Sequence, residues 1–177
     1  DTGTYTLYRH DPENPYSLLD DDVQEIEPGK PGVLWLGTRH GGLTKFEMST
    51  ETFTHYPPDP TNPQSNPSEA VEAIYRAADG IVWLGLDGGG LLKFDPVMET
   101  FKSYRHDPEN SNSLSEDVII GIFQDDAGFL WLATQKTGLN RFDPVTETVT
   151  RYRHDPNDPH SLDTEHLSKA RGGIYQD

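Results

Sequence analysis

Three tryptophans at a constant interval constrain this chain more than any other feature. Trp35, Trp83 and Trp131 stand 48 residues apart, inside the related segments LWLGTRHGGLTKF, VWLGLDGGGLLKF and LWLATQKTGLNRF. Tyr8, Tyr56, Tyr104 and Tyr152 keep the same 48-residue step, as do the Asp-Pro pairs beginning at Asp11, Asp59, Asp107 and Asp155. A long, gapless repeat means one supersecondary unit laid against copies of itself, each burying an apolar face on its neighbour. With 33% of 177 residues hydrophobic, one unit alone has little core, and stacking supplies a sizeable one.

Each unit reads as four short strands. In the third, Val118 to Gln124, Phe129 to Thr134, Gly138 to Phe142 and Thr148 to Tyr152 are apolar or alternating runs, separated by turn formers such as Asp-Asp-Ala-Gly and Asp-Pro-Val-Thr. No segment sustains a 3.6-residue period, so no helix of consequence is expected. The second strand is apolar at nearly every position, which implies burial on both faces. The fourth (ETFTHY, ETFKSY, ETVTRY) alternates, as an outer edge strand with one wet face does. The expectation is an all-β propeller segment of four-stranded antiparallel blades. Residues 1–10 would supply the outer strand (Tyr5 to Tyr8) of a preceding blade. Blades 1, 2 and 3 would occupy 11–58, 59–106 and 107–154, and 155–177 would begin a further blade. There IYQD (Ile174 to Asp177) matches IFQD (Ile122 to Asp125) at an offset of 52, so the intervening SLDTEHLSKARGG carries an insertion. Three blades are too few to close a ring, since propellers need about four to eight. The remaining blades are expected from the same, longer chain, of which this sequence reads as an excerpt, or from another copy.

The segments PGVLWLGTRHGGLTKFE, DGIVWLGLDGGGLLKFDP and DAGFLWLATQKTGLNRFDP, with the intervening YRHDPENSNSL and YRHDPNDPHSL, resemble the two-component regulator propeller repeat. That resemblance covers essentially the whole chain. It implies a ring-shaped sensor domain on the periplasmic or extracellular side of a bacterial membrane-bound signalling protein. Some members of that family detect oligosaccharides.

Composition narrows the partners. Thirty acidic against 14 basic residues give a net charge of −16, which repels nucleic acid and anionic membranes. No stretch is long and apolar enough to insert in a membrane as a helix. The absence of cysteine removes disulfides, thiol nucleophiles and Cys-based zinc sites. The acidic connections between blades (HDPENPYSLLDDD, HDPENSNSLSED, HDPNDPHSLDTEH) offer oxygens that suit calcium in kind. Their spacing is not that of a calcium loop, and local turn bonds explain them. No metal or other cofactor is expected.

The tryptophans are expected in the core, with ring nitrogens able to bond a neighbouring blade. Gly41-Gly42, Gly88-Gly89-Gly90 and Gly138 are expected to serve tight hairpins rather than a phosphate cradle, because no helix follows them. His10, His106 and His154 fill one repeat slot and read as loop residues. Against this constant scaffold, two hairpin positions vary: Arg39-His40, Asp87-Gly88 and Gln135-Lys136. Arg39, His40, Asp87, Gln135 and Lys136 are therefore the candidate ligand-binding residues, suited to hydrogen-bonding a small polar ligand or an oligosaccharide. No catalytic residue stands out, and no serine sits in a GxSxG turn. The expected role is ligand sensing without catalysis. A scaffold that completes blades with another chain, and a propeller lyase or hydrolase, are the alternatives.

Overall fold

The computed structural model describes residues 3, 5–59, 65 and 70–162, which contain no helix. Twelve strands form three four-stranded sheets, each in simple sequential order. Blade 1 comprises β1 (Val23–Pro28), β2 (Val33–Thr38), β3 (Leu43–Glu47) and β4 (Thr52–Tyr56). Blade 2 comprises β5 (Val71–Arg76), β6 (Val82–Leu86), β7 (Gly90–Asp95) and β8 (Thr100–Tyr104). Blade 3 comprises β9 (Ile119–Gln124), β10 (Leu130–Thr134), β11 (Leu139–Asp143) and β12 (Thr148–Tyr152). All neighbouring strands within a blade are antiparallel. First strands of successive blades pack on each other, β1 on β5 and β5 on β9.

Burial follows the graded pattern of the sequence. All five residues of β6, in the middle blade, are buried. The fourth strands β4 and β8 mix exposed and half-buried positions, alternating over the first four residues of β4 and the first three of β8, with no residue fully buried. The joints between blades are aromatic wedges. Phe94 of blade 2 sits under Trp35 and Tyr56 of blade 1, at centroid distances of 5.7 and 4.8 Å. Phe142 of blade 3 repeats this under Trp83 and Tyr104, at 5.6 and 4.8 Å. Each such pair adds about 0.5–1.5 kcal/mol beyond the area it removes from water.

Trp35 and Trp83 are buried, as expected of core residues, whereas Trp131 is only half-buried. Among the described residues, the Trp131 indole bonds only its own blade. Its Nε1 donates to Asp125 Oδ2 at 2.8 Å, within its own blade, because the Asp-Asp-Ala-Gly turn folds that carboxylate back over β10.

Two irregularities recur in every blade. The first strand carries a bulge that leaves Gln24, Glu72 and Ile120 out of register. The turn between third and fourth strands places Glu51, Glu99 and Glu147 in the left-handed region, with φ of 55°, 54° and 59°. At the N-terminal end, Tyr5 to Tyr8 carry no strand assignment, and this sequence holds no other strand of the blade expected to contain them. Tyr8 nevertheless packs against Phe46 and Phe53 at 5.0 and 5.6 Å, the position that Tyr56 and Tyr104 take on their next blades. It holds its place by aromatic contact rather than by a ladder. Residues 163–177, with the expected insertion and the IYQD segment, lie outside the described residues.

Candidate functional site

Antiparallel order sends the hairpin between the second and third strands to the same end of each blade as the incoming connection. The short turns that join strands one to two and three to four lie at the other end. The hairpins close through glycine. Gly90 and Gly138 have φ of 80° and 89°, and a Cβ at either would run into the carbonyl of Tyr104 or Tyr152. Backbone conformation and space together exclude a side chain there.

The five candidate residues are bound into this face in different ways. Arg39 donates from its backbone to the Asp22 carbonyl at 3.0 Å and from Nε to Asp22 Oδ2 at 3.1 Å. The backbone N–H and ring Nδ1 of His40 meet Asp20 Oδ2 at 2.8 and 3.1 Å. Burial alone would raise the Asp20 carboxyl, but bonds from the Asp22 and His40 backbones and from the His40 ring hold it below its ordinary value. The Asp87 backbone donates to Ala70 and pairs with Val118 of the next blade's lead-in. Gln135 donates to that same Val118 at 3.2 Å, and the Lys136 backbone to Glu116 Oε1 at 2.7 Å. Val118 therefore links the Asp87 and Gln135 hairpins through one backbone segment, while Arg39 and His40 are anchored separately on Asp20 and Asp22. The His40 side chain remains 67% exposed and that of Arg39 42%, so both present polar atoms to solvent despite these anchors.

The other singled-out groups are structural. His10, His106 and His154 each donate from Nδ1 to a carbonyl eight residues on, Leu18, Leu114 or Leu162, at 2.8, 2.6 and 2.6 Å. Ser17, Ser113 and Ser161 accept from the backbones of Asp11, Asp107 and Asp155 in the same repeating turn. Carboxylate oxygens of the acidic connections are used in these turns: Asp107 Oδ1 accepts from the Glu109 backbone at 2.9 Å, for instance. Among the described residues, no group of three or more His, Asp and Glu is arranged to hold a metal ion.

The sequence reading missed the end of the blades away from the hairpins. There a cleft of about 450 Å³ opens between blades 1 and 2, with Trp35, Lys30, Arg76 and Met98 in its wall. Its signal was present, since Lys30, Arg76 and Met98 all depart from the residues 48 positions further on, Ala78, Gln124 and Thr146.

Adjacent four-stranded antiparallel blades, joined through aromatic wedges and with first strands side by side, define a β-propeller. Residues 113–136 match the family model described as two component regulator propeller. No curated protein matches the sequence. The fold is shared with an extracellular domain described as that of the hybrid two component system BT4673 from B. thetaiotaomicron. The TM-score is 0.66 at 22% identity, over 82% of this chain and 20% of that one. The corresponding domain of BT3049 from the same organism gives 0.55 at 24%, over 92% and 26%. The RRP9 WD40 repeats give 0.58 at 11%, over 77% and 40%. The chain thus spans about a fifth to a quarter of the two extracellular domains, and these likenesses speak to the fold.

Proposed function

We propose that this chain is part of an extracytoplasmic, ligand-sensing propeller in a bacterial signalling receptor, and that it binds a polar ligand, above all an oligosaccharide, without transforming it. The observation that carries the reading is the match of residues 113–136 to the two component regulator propeller, on a repeat that holds register through three blades. The two B. thetaiotaomicron structures named above are described as extracellular domains of hybrid two component systems, BT4673 also as a one component system, which supports an extracytoplasmic reading. Arg39, His40, Asp87, Gln135 and Lys136 offer donors and acceptors from three successive hairpins. A ligand spanning two hairpins favours one relative setting of their blades, and that preference is the signal.

The test is calorimetric titration of the chain with a panel of neutral and acidic oligosaccharides, with chromatography of the sugar afterwards. Saturable binding with unchanged sugar is expected. Arg39→Ala with Lys136→Ala should weaken it about tenfold or more, the worth of one or two hydrogen bonds to charged groups. Appearance of a cleaved product would move the reading to a lyase or hydrolase. Absence of sugar binding together with a native mass several times 19.9 kDa would move it to an assembly scaffold.

A further inference from the structure

We propose a separate binding site, for a small organic anion with a compact apolar body, in the cleft between blades 1 and 2 on the face away from the hairpins. Its volume of about 450 Å³ lies within the roughly 300–1,000 Å³ of small-molecule sites. Trp35, Ile81 and Met98 supply apolar wall, and Lys30, Lys45 and Arg76 bring three cations into a chain whose net charge is −16.

The charges are not equally free. Lys45 is paired with Glu47 at 2.8 Å. Asp79 and Asp95 also face the cleft, but each has an oxygen engaged in its turn. Asp79 Oδ1 accepts from the Ile81 backbone at 3.0 Å, and Asp95 Oδ1 from those of Val97 and Met98 at 2.8 and 3.1 Å. Glu27 Oε1 accepts from the backbone of Arg76 at 3.4 Å, and the Arg76 charge also acts on that carboxyl, though without direct ion-pair contact. Among the described residues, neither the Lys30 ammonium nor the Arg76 guanidinium has a carboxylate within ion-pair distance. Two cations beside an aromatic edge and a flexible thioether suit a carboxylate or phosphate carried on a ring.

The repeat provides an internal control. In the joint between blades 2 and 3 the equivalents of Lys30, Arg76 and Met98 are Ala78, Gln124 and Thr146. Gln124 there accepts from the Tyr75 hydroxyl of blade 2 at 3.4 Å and donates to Gly128 at 3.1 Å, tying the joint together with a neutral side chain. The scaffold needs neither cation, so their presence in one joint alone points to something they bind.

The experiment is titration of the isotopically labelled chain with phenyl phosphate and with benzoate, following the tryptophan indole N–H signals by NMR. The Trp35 signal should shift saturably with at least one anion, and neutral phenol should not reproduce it. Tighter binding of phenyl phosphate assigns the site to phosphate esters, and tighter binding of benzoate to carboxylates. Lys30→Ala with Arg76→Gln copies the neighbouring joint, and should weaken binding about tenfold or more. Lys30→Glu alone, at an exposed turn position, should act in the same direction. Arg39→Ala with Lys136→Ala should leave these shifts unchanged, which separates this site from the hairpin face. Failure of both anions to saturate the Trp35 signal, or equal affinity in the Lys30 and Arg76 variants, would overturn the proposal.

Discussion

The joint between blades 1 and 2 and the joint between blades 2 and 3 use the same repeat positions but are fastened differently. Both carry the aromatic wedge, Phe94 under Trp35 and Tyr56 in one and Phe142 under Trp83 and Tyr104 in the other. The polar fastening differs. Tyr104 donates to Glu147 Oε1 at 2.9 Å, and Lys102 reaches the two oxygens of that carboxylate at 2.5 and 2.7 Å. In the first joint Tyr56 reaches Glu99 at only 3.5 Å, and Thr54 stands where Lys102 would be. The second joint is also bridged by Tyr75 and Gln124, and the first by Glu27 and the Arg76 backbone at the same repeat positions, each at 3.4 Å, so the difference rests on the tyrosine contacts and on the cleft of the first joint. The apolar wedge thus sets the blade arrangement, and a few polar positions set how firmly each joint is closed.

The largest expected effect tests what the joints share. Phe94→Ala and Phe142→Ala should each cost about 3–5 kcal/mol in urea denaturation, because both rings are almost fully buried. A cost below about 1 kcal/mol at either site would break the claim that the wedge is common to both.

A smaller effect tests what they do not share. Tyr104→Phe should cost about 1 kcal/mol, and Tyr56→Phe less than about half of that, since a hydrogen bond weakens when it is stretched. Equal costs by thermal melting would remove the distinction.

The smallest effect is in pH dependence. Burial first, and the neighbouring carboxylate second, raise the hydroxyl pKa of both Tyr56 and Tyr104. A raised folded-state pKa contributes stability that is intact below the ordinary tyrosine value near 10 and is lost as pH rises through the folded value. Bonds from Lys102 and Tyr104 hold the Glu147 carboxyl below its ordinary range, so its contribution is lost as pH falls through that lowered value. Tyr104→Phe should therefore flatten both limbs of a stability–pH curve more than Tyr56→Phe does.

Much of this architecture was legible in the sequence, because period and burial are properties of residue type. The run around Trp83 has no polar residue to expose, and β6 is buried throughout. The alternation in ETFKSY survives only in part: β8 is a half-wet edge, with Phe101 and Tyr104 half-buried but Lys102 and Ser103 both exposed. The partners of the repeating tyrosines were not legible. Glu51, Glu99 and Glu147 also step by 48, yet glutamate carries no composition cue for a left-handed turn, which is ordinarily read from Gly or Asn. The segment Tyr5 to Tyr8 carries no strand assignment, and this sequence holds no other strand of its blade for it to pair with. Alternation reports which side of a strand is wet, but a ladder also needs a neighbouring strand, and Tyr8 finds rings instead. At the candidate site, the variable hairpin positions were visible, but their anchoring on Asp20, Asp22 and Glu116 was not. Those carboxylates lie about 20 residues away, on the incoming connection.

The position of the Tyr–Glu contacts has a mechanical consequence. First strands of adjacent blades touch, so two blades form a wedge that is narrow at the first strand and wide at the fourth. Tyr56–Glu99 and Tyr104–Glu147 span the wide end. A bond there acts on a long lever arm, and a given bond energy resists rotation about the first strands more than the same bond would near them. The length of the first of these contacts, 3.5 Å against 2.9 Å in the second, therefore changes angular stiffness out of proportion to its energy, and makes blades 1 and 2 turn more readily under a load than blades 2 and 3.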